Sequence, residues 1–185
     1  MIRLIFTTFA FLILLSHAAF AKDWMVETDH SKLSFFFEQL GVEKEGAFKE
    51  FESTVTFDPS DLANSHISVT IKIDSVDTKS HERDTNITSK DWFDAVSHPT
   101  ALFEIEEVIK DGTERYFATA FLSMRGIKKR VTLPFQVIIE NDNATAKGEL
   151  IISRTDFGIG QGQWATDSVV GDRVRISFDL KSHEK

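Results

Sequence analysis

Cysteine is absent from this 185-residue sequence, which excludes disulfide bonds, thiol nucleophiles and thiolate metal ligands. The six histidines show neither the H-x-H nor the H-x-x-x-H spacing of a metal site, and no G-x-S-x-G nucleophile motif is present. There are only three prolines, and no linker or internal repeat divides the chain. The sequence therefore predicts no catalytic residue, no metal ligand and no cofactor site.

Basic residues are fewer than acidic residues. The chain has 21 lysine and arginine residues against 29 aspartate and glutamate residues, and its formal net charge is −8. The basic residues form no stripe, and an acidic surface repels phosphate groups. We therefore expect no binding to nucleic acid or to anionic membrane surfaces.

The one long apolar run lies near the N-terminus. Arg3 precedes the apolar residues 4–15, and Ala19-Phe20-Ala21 follows as an A-x-A-like cleavage site. This run is shorter than the roughly 20 residues that a membrane-spanning helix needs. A cleaved signal peptide over residues 1–21 is therefore favoured over an uncleaved anchor. We expect a periplasmic protein with no stable membrane anchor and one mature domain over residues 22–185.

Alternating apolar and polar residues recur along the mature chain and predict β-strands. The clearest case is residues 67–73, where isoleucine or valine occupies every second position. Further predicted strands are residues 33–40, 48–57, 100–109, 116–124, 131–139, 144–152 and 173–180. Residues 116–124 are ambiguous, because Phe117 and Phe121 lie on the face opposite to the other apolar residues. Residues 78–94 break the alternation and predict a single helical segment.

About eight antiparallel strands with mostly short connections favour an all-β fold, an eight-stranded antiparallel barrel with one short helical excursion. Closure into a barrel removes the exposed edges that an open sheet would leave. The same strands would also allow a sandwich of two sheets.

Phenylalanine is abundant, and 13 of the 17 residues fall after residue 21. Apolar residues of matching parity on the predicted strands are candidates for the barrel interior. They are Phe35, Phe37, Ile71, Phe103, Leu122, Phe135 and Phe178. The interior of an eight-stranded barrel is either filled by side chains or holds one small ligand. The residues alone leave both interpretations open.

Two charged motifs interrupt this pattern. Arg83-Asp84 either pins the helical segment to the barrel or contacts a ligand headgroup at the barrel mouth. Arg154 and Asp156 are two residues apart, so on a strand both side chains face the same way. A partly buried arginine needs a carboxylate or carbonyl partner. We therefore expect Arg154 and Asp156 to help lock the barrel, with ligand contact as the alternative.

Short pieces of the chain, taken in order, resemble a known family. They include Asp29-His30-Ser31, Gly46-Ala47-Phe48, Arg83-Asp84, Trp92-Phe93-Asp94, Arg154-Thr155-Asp156-Phe157-Gly158 and Val170-Gly171-Asp172. At this spacing they resemble the YceI-like family of exported, lipocalin-like barrels that bind polyisoprenoid lipids. Three positions depart from the family pattern, namely Gln39 and Arg125, where histidine is frequent, and Trp92, where phenylalanine is usual.

The resemblance implies an apolar tunnel that holds a long isoprenoid, such as a quinone or a polyprenyl tail, in a barrel that is often a homodimer. The seven interior positions then become candidate ligand-binding residues. The expected function is that of a periplasmic carrier of such a lipid. Two alternatives stay open. One is an enzyme acting on an isoprenoid quinone or related lipid, and the other is a stress-related structural module with a filled core.

Overall fold

A computed structural model describes residues 22–185 of the chain. The predicted signal peptide, residues 1–21, lies outside the described residues. Eleven strands and one α-helix occur within the described part. The strands are β1 (Asp23–Val26), β2 (Lys32–Gln39), β3 (Val42–Phe48), β4 (Phe51–Thr56), β5 (His66–Lys72), β6 (Val76–Asp77), β7 (Thr100–Lys110), β8 (Arg115–Met124), β9 (Ile127–Glu140), β10 (Asn143–Ser153) and β11 (Val170–Glu184), and helix α1 spans His81–Thr88.

The strands close into an antiparallel barrel. The ring runs β1-β4-β5-β7-β8-β9-β10-β11 and closes because β1 pairs with both β4 and β11. Strand β11 is long enough to serve two neighbours. Its residues 182–184 pair with β1, and its residues 170–179 pair with β2. The predicted eight-stranded antiparallel barrel is thus confirmed, and the sandwich is not the fold adopted.

Three of the eight strand paths are bent, which is why eleven strands make an eight-stranded barrel. Short 3₁₀ turns at Thr28–His30 and Ile73–Ser75 separate β1 from β2 and β5 from β6. Residues 49–50 separate β3 from β4, and the Glu50 amide donates to the Ser75 hydroxyl at 3.1 Å. The bent paths β1–β2, β4–β3 and β5–β6 lie side by side.

Strand β8 illustrates how alternation builds the interior. Every second residue of this strand is buried, and these residues are Tyr116, Ala118, Ala120, Leu122 and Met124. Phe117 and Phe121 alternate with them and are partly exposed on the outer face. Because two of the inward residues are alanines, this wall leaves space inside the barrel.

Helix α1 is shorter than the predicted helical segment of residues 78–94. It begins after Ser80, whose hydroxyl accepts from the Arg83 amide at 3.5 Å. It ends at Thr88, and the next residue, Ser89, has extended backbone geometry and donates its hydroxyl to the Asn86 carbonyl at 2.6 Å. Turns rather than helix therefore fill residues 90–98. No helix within residues 22–185 has the length and apolarity needed to cross a membrane.

Arg83 and Asp84 both bind Thr78, which is buried just before the helix. The Asp84 carboxylate accepts from the Thr78 amide at 2.9 Å and from the Thr78 hydroxyl at 2.6 Å. Arg83 Nη2 donates to the Thr78 carbonyl at 2.6 Å. The two charges therefore fasten the helix to the end of β6, in agreement with the pinning interpretation.

Candidate binding site: two cavities along the barrel axis

The barrel encloses a first cavity of about 160 Å³ toward the end where β1 and β8 begin. Of the 23 residues that line it, Ser182 is the only one that is neither aliphatic nor aromatic. All eight strand paths contribute to its walls, and the bent path β1–β2 contributes Trp24, Val26 and Leu33. Cavities lined in this way stay dry and accept apolar guests.

An aromatic cluster lies at this end of the first cavity. The Phe57 ring meets the Tyr116 ring edge-on, with centroids 5.2 Å apart, and Tyr116 lies 5.4 Å from Phe135. Trp24 Nε1 donates to the Phe57 carbonyl at 2.9 Å, so its polar atom is satisfied. Burial raises the pKa of Tyr116, which keeps its phenol neutral. The aromatic cluster therefore closes this end of the barrel with uncharged side chains.

A second cavity of about 110 Å³ lies at the opposite end, beside helix α1 and the segment that follows β10. Its lining is mainly aromatic and aliphatic, but it includes Gln39, Arg83, Asn86 and Arg154. Ile176 of β11 lines both cavities. The two cavities are therefore neighbours along the barrel axis, with Ile176 at their junction.

All seven residues predicted for the barrel interior line these cavities. Ile71, Phe103, Leu122, Phe135 and Phe178 line the first cavity, and Phe35 and Phe37 line the second. Glycines on neighbouring strands make room for two of these rings. A Cβ on Gly148 would come within 2.7 Å of Phe178 Cζ, and a Cβ on Gly46 would overlap the Phe35 ring. A role of the seven residues in ligand binding stays a prediction.

Sequence reasoning missed several lining residues. Trp24 belongs to a strand of four residues, which is too short for its alternation to indicate a face. Trp92, Ile159 and Trp164 line the second cavity from turns and loops, where no periodicity exists. Trp92 and Trp164 pack edge-on, with centroids 5.6 Å apart. Large aromatic residues in polar loops are the signal that could have indicated them.

Arg154 is 2% exposed and is surrounded by main-chain carbonyls. Burial lowers the pKa of its guanidinium, which nevertheless stays protonated. Its Cζ also lies 5.4 Å from the centroid of the Trp92 ring. Its six acceptors are the carbonyl oxygens of Ile159, Gly160, Trp164, Thr166, Val170 and Gly171, at 2.8 to 3.3 Å. The segment between β10 and β11 is therefore wrapped around one cation.

The expected placement of Arg154 and Asp156 on one face of a strand is wrong. Strand β10 ends at Ser153, and Thr155–Phe157 forms a 3₁₀ turn. In that geometry a spacing of two no longer places side chains on the same face. The Asp156 carboxylate lies instead 2.8 Å from Lys129 Nζ and is more than half exposed. Arg154 locks the segment through carbonyls alone.

Within residues 22–185, no three histidine, aspartate or glutamate side chains are grouped so as to hold a metal ion. None of the residues that line the first cavity carries an acidic or basic side chain. The arrangement therefore offers apolar surface for burial, with polar side chains concentrated at the end that holds α1.

Comparison with known proteins places this geometry in a family. The YceI-like domain model matches residues 24–182. Protein YceI of Escherichia coli is 35% identical over 139 residues, which cover 74% of this chain and 72% of that protein. The crystal structure of Burkholderia cenocepacia BcnA matches with a TM-score of 0.82 at 35% identity, covering 85% of this chain and 99% of that one.

A polyisoprenoid-binding domain from Saccharophagus degradans shares the fold, with a TM-score of 0.68 at 15% identity. It covers 90% of this chain and all of that one. Residues 24–182, which the YceI-like domain model matches, include the helix, all or most of every strand and all residues that line the two cavities. The chain belongs to the YceI-like family.

Proposed function

We propose that the protein binds a long isoprenoid lipid, or an isoprenoid quinone, with its tail inside the barrel. The observation that carries the proposal is the first cavity, whose lining has one polar side chain among 23 residues. Burying apolar surface is worth about 25 cal/mol per Å². Each 100 Å² of tail removed from water would thus contribute roughly 2.5 kcal/mol, less the cost of ordering the chain.

The elongated arrangement of the cavities suits a linear tail. Inward residues of β11 line them from Val170 to Ser182. That stretch spans roughly 40 Å along the strand and about 30 Å along the axis of a barrel with tilted strands. A long tail would join the two cavities at Ile176. The polyisoprenoid-binding domain that shares this fold supports the same ligand class.

Extraction of purified protein with organic solvent, followed by mass spectrometry, tests the proposal. Wild-type protein is expected to yield a long-chain isoprenoid lipid, or to take one up from a mixture of isoprenoid quinones and polyprenols. Phe103→Asp should lose the lipid because an unpaired carboxylate in the first cavity must be desolvated or neutralised. Phe103→Leu is the matched control and should retain it.

A second variant guards against misfolding of Phe103→Asp. Ile176→Trp adds bulk at the junction of the cavities without adding charge, and Ile176→Val is its control. Circular dichroism of each variant establishes that the barrel is folded. Well-folded wild-type protein that yields no lipid and takes up none from the mixture would overturn the proposal.

Binding is favoured over catalysis by the composition of the first cavity. No histidine, aspartate or glutamate is among the residues that line it, so an acid and a base do not converge on a tail held there. Incubation of the protein with its extracted lipid should leave the lipid chemically unchanged. Conversion of the lipid would favour the enzyme alternative.

The periplasm is the proposed site of action, and a homodimer is the proposed assembly. The first rests on Arg3, the apolar run that follows it and the Ala19-Phe20-Ala21 site. The second rests on the family resemblance. Cell fractionation tests the location, and light scattering coupled to size-exclusion chromatography tests the assembly.

A further inference from the structure

The second cavity is more polar than the first, so the barrel interior has an apolar end and a polar end. The first cavity has Ser182 as its only polar lining residue other than aromatic ones. The second cavity has two guanidinium groups, from Arg83 and Arg154, and two amides, from Gln39 and Asn86. An amphipathic ligand would gain most with its tail in the first cavity and its polar end in the second.

Trp92 carries an unused hydrogen-bond donor at the second cavity. Its side chain lines the cavity and is 8% exposed. Its Nε1 atom is buried and has no acceptor within residues 22–185. A buried donor without a partner is unfavourable, because it has lost its hydrogen bond to water and gained none in the protein. By contrast, Trp24 lines the first cavity and donates its Nε1 hydrogen to the Phe57 carbonyl.

The remaining polar groups favour an acceptor. No carboxylate lines the second cavity among the described residues. Asp84, the acid next to Arg83, accepts two hydrogen bonds from Thr78. Arg154 donates all its hydrogen bonds to carbonyls, but its positive charge has no carboxylate within ion-pair distance in residues 22–185. A cationic head would meet two cations here, whereas an oxygen-bearing head would meet donors.

We infer that the second cavity binds the polar head of the lipid and that Trp92 donates a hydrogen bond to an oxygen atom of that head. This rests on the proposed function and adds an orientation and a head chemistry to it. The head carries acceptor oxygens, as the carbonyls of a quinone and the oxygens of a phosphate do. Arg83 and Asn86 face the same space and supply further donors.

Tryptophan fluorescence tests the orientation. The chain has three tryptophans, of which Trp24 lines the first cavity and Trp92 and Trp164 line the second. A bound quinone ring quenches indoles that lie close to it. Ubiquinone should therefore strongly quench the variant Trp24→Phe and only weakly quench the double variant Trp92→Phe with Trp164→Phe. The opposite pattern, with quinone extracted from both proteins, would overturn the inference.

A binding series tests the head chemistry. The probes are ubiquinone, a polyprenyl phosphate and a polyprene hydrocarbon, all with the same tail length. Trp92→Phe should weaken ubiquinone or polyprenyl phosphate binding by about two- to tenfold and leave hydrocarbon binding unchanged. The probe whose affinity falls shows whether Trp92 donates to a quinone carbonyl or to a phosphate oxygen.

Trp164→Phe is the matched control, because it removes an indole from the same cavity without removing the buried Nε1 of Trp92. It should change the affinity for all three probes by the same factor. If Trp92→Phe also weakens all three equally, Trp92 contributes packing only and the inference fails. If wild-type protein binds none of the probes, the proposed function itself fails.

Discussion

Replacing Arg154 by methionine is the sharpest test of how the barrel is held together at the end that holds α1. Methionine keeps much of the apolar bulk of the side chain and removes its charge and donors. The guanidinium donates to six carbonyl oxygens of one segment, residues 159–171. Without it, these six carbonyls lose the donor that they share.

The size of the effect follows from which acceptors are buried. The carbonyls of Ile159, Gly160 and Val170 receive their hydrogen bonds in buried surroundings, whereas the other three acceptors lie nearer to solvent. Three unsatisfied buried acceptors cost about 3–9 kcal/mol. Relief of the desolvation of the guanidinium returns several kcal/mol. Because methionine leaves no unpaired charge behind, only the acceptor cost less this relief remains, and the free energy of unfolding should fall by about 3–5 kcal/mol.

Urea unfolding followed by circular dichroism measures this change, and a thermal scan supports it. A fall of that size should lower Tm by about 6–20 °C in a domain of this length. Arg115→Met is a matched control, since the same chemical change at a side chain that is 71% exposed should cost under about 1 kcal/mol. Asp156→Ala should also cost under about 1 kcal/mol, because its carboxylate pairs with Lys129 at the surface. An Arg154→Met protein within about 1 kcal/mol of wild type would refute the reasoning.

Two further predictions concern pH and processing. Hydrogen bonds from Lys49 Nζ at 2.6 Å and Lys79 Nζ at 2.8 Å hold the pKa of Asp77 well below its usual range. A carboxylate with a lowered pKa in the folded state adds stability that is complete above its unfolded pKa, near 3.8, and is lost as the pH falls through the folded value. Between pH 5 and 2, roughly, wild-type protein should therefore lose more stability than Asp77→Asn, as urea midpoints at each pH would measure; parallel losses would contradict this. Cleavage after Ala21 is expected on export, so N-terminal sequencing of the exported protein should begin at Lys22, and an exported chain that begins at Met1 would disprove it.

Much of the barrel could be predicted from local patterns. Alternation has a period of two because successive side chains on a strand point to opposite faces. That rule needs no knowledge of the partner strands, so the interior position of Phe103 and Phe178 followed from parity alone. Eight such strands with short connections also indicated closure, because edges left unpaired are unfavourable.

The bends in the strand paths needed the tertiary structure. Nothing local indicates that β11 pairs with β1 over residues 182–184 and with β2 over residues 170–179. The 3₁₀ turn at Thr28–His30 divides one path into two strands, and its effect on the barrel depends on the neighbouring path, which is interrupted at residues 49–50. Only in the assembled sheet do the interruptions of neighbouring strand paths lie beside each other.

The second cavity was decided by tertiary structure even more completely. Trp92 and Trp164 are 72 positions apart in loops, and they meet only because the strands bring those loops to the same end of the barrel. The sequence left a carboxylate and a carbonyl open as partners of Arg154, and in the structure its partners are carbonyls. Every residue carries a carbonyl, so a carbonyl cage has no sequence signature, and only the path of the backbone determines which ones surround the cation.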